Sequence, residues 1–137
     1  MSRTQIILLH VSTIMVTITG VVFAWMKYGM HTDDPFAVAN HPWQPFLLDL
    51  HVIFAPLLVF ALGWIFGDHI LLKYRLSAQR KRRSGLSAMW LIAPMIMTGY
   101  LIQVITNESL QYGSRIGHWV TSGIFVVAYA VHQYLEE

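Results

Sequence analysis

Cysteine is absent from the 137 residues. That excludes disulfides, thiolate zinc sites, iron–sulfur clusters, a cysteine nucleophile and covalent haem attachment through C-x-x-C-H. Charge is scarce too. Asp, Glu, Lys and Arg make up 12% of the chain, about half the roughly 25% of a soluble domain. Most of so uncharged a surface must meet something other than water. No internal repeat, linker or low-complexity segment is evident. The length allows a single domain, 1–137, with no room for a soluble catalytic domain beside several membrane spans.

Apolar residues fill the gap, at 55% of the chain. Four runs approach or reach the ~20 residues needed to cross a bilayer, which predicts helices over about 5–27, 45–72, 85–107 and 115–135. Strand alternation is missing. Lipid-exposed backbone must be helical or in a closed barrel, so the expected class is all-α, an integral membrane four-helix bundle. The first run is too long for a signal-peptide core and has no small-residue cleavage site, so it reads as a retained span. Pro56 and Pro94 should kink the second and third helices.

The connections set the expected orientation. Lys73, Arg75, Arg80, Lys81, Arg82 and Arg83 in the second loop, with Arg3, account for seven of the nine Lys and Arg residues. Positive charge stays cytoplasmic, so the N and C termini are expected there and the first and third loops outside. Because the basic run abuts a span, it reads as a topology signal rather than a nucleic-acid site. Trp25, Tyr28, Trp43, Trp90, Tyr112, Trp119 and Tyr134 fall near span ends, as an aromatic belt does. Trp64 lies deeper and is expected to pack.

Seven histidines are many for so apolar a chain. Five lie in the expected spans: His10, His51, His69, His118 and His132. His31 and His41 fall in the first loop. An ionisable residue within a span is a functional hypothesis by default. The five form two levels, with His51 and His118 near the outer ends of helices two and four, and His10, His69 and His132 near inner ends. His118 and His132 are 132 − 118 = 14 residues apart, or ~21 Å along a helix and within about 40° of one face. Two haems stacked across a bilayer need axial ligands at such a separation, and bundle cores hold such cofactors. Histidines that only hydrogen-bond between helices are the blander alternative. A proton- or metal-coupled transporter is another. It would place a carboxylate in mid-membrane, whereas Asp49 and Asp68 sit near span ends.

The ordered set Leu9-His10 with Gly20, Leu50-His51, and His118 with His132 resembles the bacterial cytochrome b561 family, which includes the b-type subunits of hydrogenases and formate dehydrogenases. The resemblance covers nearly the whole chain. It implies two haem b groups, the inner one held by His10 and His132 and the outer one by His51 and His118. It also implies electron transfer between a quinone pool and a redox partner at the bacterial inner membrane. The chain would then be an electron-transfer subunit of a quinone-linked oxidoreductase, in a hetero-oligomer with a periplasmic redox protein or catalytic subunit. A mono-haem or haem-free anchor that shapes a quinone pocket is the alternative function. His69 departs from the family pattern and is an alternative inner ligand. Its 18-residue distance from His51 spans ~27 Å of α-helix, about 6 Å more than separates His118 from His132, which favours His10. Arg115, three residues before His118, could reach a haem propionate. The acidic tip Asp33–Asp34 could steer a basic partner.

Overall fold

The structure is a computed structural model that describes residues 1–30, 41–76 and 82–134. His31, Asp33 and Asp34, and Arg80 and Lys81 of the basic run, lie outside the described residues. What is described is all helical, with no strand. The elements are α1 (Arg3–Ala24), which continues as a π segment Trp25–Gly29; α2 (Gln44–Ile65), which continues through a π segment Phe66–Leu71 into the short α3 (Leu72–Arg75); α4 (Arg82–Val104); and α5 (Glu108–Tyr134). They divide into two compact units, Met1–Asp68 and His69–Glu137.

The first unit is the helical pair α1–α2. Ser2 starts α1 with a capping box: its hydroxyl accepts the Gln5 N–H, and the Gln5 side chain accepts the Ser2 N–H at 2.7 Å. The other end of the Gln5 amide reaches the Asp68 carboxylate at 3.4 Å. Far along α1, Thr19 meets His51, so the helices run antiparallel. The face of α1 turned to α2 is small and polar: Gln5, Ser12, Thr13 and Thr19 are buried beside Leu9. Against it α2 buries Leu58, Ala61, Leu62 and Ile65. Ser12 and Thr19 return their hydroxyl protons to the carbonyls of Leu8 and Met15, whereas the buried Thr13 hydroxyl has no hydrogen-bond partner among the described residues. Such small-residue contacts hold helices together in lipid.

The opposite face of α1 is the reverse of a soluble helix. Ile7, Val11, Ile14, Ile18 and Val21 recur every three or four residues and are all more than half exposed. A continuous exposed apolar stripe marks an apolar surrounding. Three helical rods, 3–29, 44–75 and 83–104, are long and apolar enough to cross a membrane.

The second unit pairs α4 with α5, antiparallel, since Thr98 meets His118 and Ser84 meets His132. The connection is closed by side chains. Asn107 accepts the Leu110 N–H on its side chain, while the Gln111 amide donates to the carbonyls of Ile102 and Ile105 at the frayed end of α4. The helix therefore starts at Glu108, seven residues before the expected 115. Hydropathy detects the apolar stretch, whereas the cap at Asn107 sets the start.

The 27 residues of α5 span ~40 Å, more than the ~30 Å hydrocarbon thickness. Yet α5 is not among the three apolar rods, and its sequence explains why. Gln111, Arg115, His118, Ser122, Phe125, Tyr129 and His132 recur at alternating steps of four and three, one stripe along the helix. Val120, Ile124 and Val127 on the other side are exposed. The fourth helix is amphipathic because its polar stripe carries the histidines.

The belt residues Trp25, Tyr28, Trp43, Trp90, Tyr112, Trp119 and Tyr134 are all exposed. Trp64 corrects an expectation. It is 44% exposed and leans on Phe60, one turn earlier on its own helix, at 5.7 Å between ring centres.

Candidate functional site

In the first unit the site is built around His51. The Val16 carbonyl ends 3.0 Å from His51 Nδ1 and the Thr19 hydroxyl 3.3 Å from it. A carbonyl has no proton to give, so Nδ1 carries the hydrogen and donates it. The Thr19 hydroxyl gives its own proton to the Met15 carbonyl at 2.7 Å, which leaves its oxygen as an acceptor. In the neutral ring the lone pair then lies on Nε2. Metal-binding imidazoles are commonly held this way, one nitrogen donating to the protein and the other free for the metal.

The second unit repeats the arrangement. His118 Nδ1 donates to the Met95 carbonyl at 3.1 Å and lies 3.4 Å from the Thr98 hydroxyl. Thr98 gives its proton to the Pro94 carbonyl at 2.7 Å. His132 Nδ1 lies 3.2 Å from the Ser84 hydroxyl. Beside each of these rings is a glycine. A β-carbon at Gly20 would stand 2.9 Å from His51 Cε1, one at Gly99 3.1 Å from His118 Cε1, and one at Gly85 3.2 Å from His132 Cε1.

His132 also has a neighbouring imidazole. The ring centres of His69 and His132 are 6.5 Å apart, their planes crossed at 74°. Two imidazoles binding one metal ion from opposite sides, at about 2.0–2.1 Å per nitrogen, have ring centres roughly 6.3 Å apart. Crossed planes are compatible with a shared axis. A haem iron needs only two protein ligands. No group of three or more His, Cys, Asp or Glu that could hold a metal ion occurs among the described residues. The spacing of the His69–His132 pair fits a metal held between two imidazoles.

His69 lies in a π turn rather than in α-helix. Both Asp68 and His69 belong to the turn Phe66–Leu71. Six residues of α-helix climb ~9 Å. Bonding from i to i+5 puts more residues in each turn and climbs less, and π turns are frequent at functional sites. The 27 Å reckoned from an unbroken α-helix therefore overstates how far His69 lies from His51.

The remaining sequence candidates are placed as follows. His10 is half-buried in α1, beside buried Leu9 in the first unit. Arg115 is half-buried on the same stripe of α5 as His118, and its guanidinium donates to the Gln111 side chain one turn back. His41 helps start α2: its ring accepts the Trp43 N–H and its carbonyl the Gln44 N–H. Asp49 and Asp68 are exposed. The sequence reading missed the seats beside the histidines. Their signal was the dipeptides Thr19-Gly20, Ser84-Gly85 and Thr98-Gly99. No protein-family model, no curated protein and no solved structure matches this chain.

Proposed function

We propose that this chain is a four-span membrane cytochrome that holds two b haems and carries electrons between a quinone pool and a redox partner. The observation that carries the reading is the His69–His132 pair at 6.5 Å, reinforced by Nδ1 tethering of His51 and His118. Haem b bound at such sites supplies one-electron redox chemistry.

The residues' own part is to bind, orient and exclude. His69 and His132 would hold one haem. The ring spacing favours His69 over His10, which the family resemblance assigns there. The family resemblance assigns His51 and His118 to the second haem. Held by two imidazoles, a haem would supply electron transfer rather than oxygen or substrate chemistry. The tethered Nδ1 fixes each ring's rotation. The exposed aliphatic stripes of α1 and α5 keep lipid, not water, around the site. Arg115 keeps several N–H donors beyond the one given to Gln111 and can pair with a propionate. The partner is a catalytic subunit or a periplasmic redox protein, in a bacterial inner membrane.

The purified protein should carry two low-spin b haems per chain, counted by pyridine haemochrome and seen in a reduced-minus-oxidised spectrum. One haem per chain would favour the anchor alternative, and none would end the cytochrome reading. Topology is checked separately. Reporter fusions at Ala78 and Ala39 should place the basic loop in the cytoplasm and the Asp33–Asp34 loop outside. A periplasm-only reporter active at Ala78 overturns that orientation.

A further inference from the structure

We infer that the hydroxyl–glycine pairs Thr19-Gly20, Ser84-Gly85 and Thr98-Gly99 are positioning seats for His51, His132 and His118. Each holds the proton on Nδ1 and presents Nε2 to the metal. The identity of that metal as haem iron rests on the reading above; the seat itself rests on geometry.

Ordinary helix packing also favours small residues, so the selectivity of the contacts matters. The chain has nine glycines. Four follow a serine or threonine, and three of those four have a histidine ring within 3.2 Å of where a β-carbon would sit. The fourth, Gly123, meets nothing within 4 Å. None of the five other glycines has a histidine among its nearest neighbours: Gly29 faces Trp25, Gly117 faces Thr98, and Gly63, Gly67 and Gly113 face open space. General close packing would bring a β-carbon up against neighbouring backbone. Here it meets the Cε1–Nδ1 edge of imidazoles.

The register points the same way. In the second unit the two seats are 98 − 84 = 14 residues apart and the two histidines 132 − 118 = 14. On antiparallel helices a step of 14 down one is matched by 14 up the other, so a hydroxyl and a glycine meet each ring on nearly the same face of α5. In the first unit, Val16, Thr19 and Gly20 repeat the spacing of Met95, Thr98 and Gly99. Two independent helical pairs have thus built one seat: a carbonyl four residues before the glycine, a hydroxyl one residue before it, and the glycine itself. The hydroxyls of Thr19 and Thr98 spend their protons on the preceding turn, so they can only accept from Nδ1–H.

The test uses the full-length purified protein and two readouts. The first is the 15N spectrum of histidine-labelled, reduced protein. His51, His118 and His132 should each show a protonated Nδ1 and an unprotonated Nε2. A protonated Nε2 at any of the three overturns its seat. This readout works with or without bound haem, so a haem-free preparation would sink the cytochrome reading and still decide the seats. The second is the low-spin EPR signal with haem retention. Gly20→Ala, Gly85→Ala and Gly99→Ala should each shift one low-spin signal and weaken haem retention about 10- to 100-fold, the usual scale for supporting residues around a metal. Gly123→Ala should do neither. For variants that fail to fold, Thr98→Val and Thr98→Ser make the gentler pair. Serine should keep the native signal and valine should shift it. If valine and serine behave alike, or Gly123→Ala matches the seat variants, the seats are only packing.

Discussion

Replacing His132 with alanine should cut the haem count from two per chain to one, and replacing His69 should do the same. Either change removes half of the imidazole pair set 6.5 Å apart, which on the proposed reading would hold one haem. The surviving spectrum should be that of the other level alone, low-spin and unshifted. His118→Ala and His51→Ala should produce the complementary loss. His10→Ala is the discriminating variant. It should leave both low-spin signals in place, because the ring beside His132 is that of His69. Loss of the same haem in His10→Ala, with retention in His69→Ala, would reverse the pairing in favour of the one the family resemblance implies. Alanine at His132 that leaves both signals intact would remove α5 as a ligand helix.

Phe125→Ala should be the most destabilising substitution away from the histidines. Phe125 lies seven residues from both His118 and His132, is 2% exposed, and stacks on Tyr129 with ring centres 6.0 Å apart. In lipid the transfer part of the cost shrinks, because acyl chains are as apolar as the ring. The cavity part remains. Removing about 100 Å³ at roughly 24 cal/mol per Å³ gives on the order of 2 kcal/mol, or about 30-fold in the folding equilibrium. Leucine at the same position should cost markedly less. Thermal unfolding followed by haem absorbance measures both. An alanine variant as stable as the parent would show that the α4–α5 contact does not depend on this ring.

Much of the architecture could be read from the residues, and the exceptions have physical causes. Hydropathy located α1, α2 and α4 because their spans carry little or no charge. It located α5 as well, but misplaced its start, since a polar first turn closed by Asn107 and Gln111 is invisible to an apolar average. The five histidines of the expected spans were evident as soon as the spans were drawn. That His69 stands beside His132 was not, because spacing along one helix does not tell which rings on different helices meet, and the spacing argument also took α2 to be uninterrupted α-helix. The π turn at Phe66–Leu71 violates that assumption, and nothing in Phe66-Gly67-Asp68-His69 distinguishes a π turn from an α turn by composition. The seats were missed for another reason. Glycine in a membrane helix is usually read as room for a neighbouring helix or a flat cofactor, and only side-chain coordinates reveal an imidazole edge in that space.

The tight closure between α4 and α5 has a kinetic consequence. Only Ile105, Thr106 and Asn107 separate the two helices, so little chain entropy is lost on bringing them together. Helical pairs joined by so short a turn form quickly. Both seats of this unit, at Ser84-Gly85 and Thr98-Gly99, are complete within it. His118 and His132 can therefore be oriented while the rest of the protein is still assembling; on the function proposed above, a haem would then meet a prearranged half-site rather than two freely searching side chains.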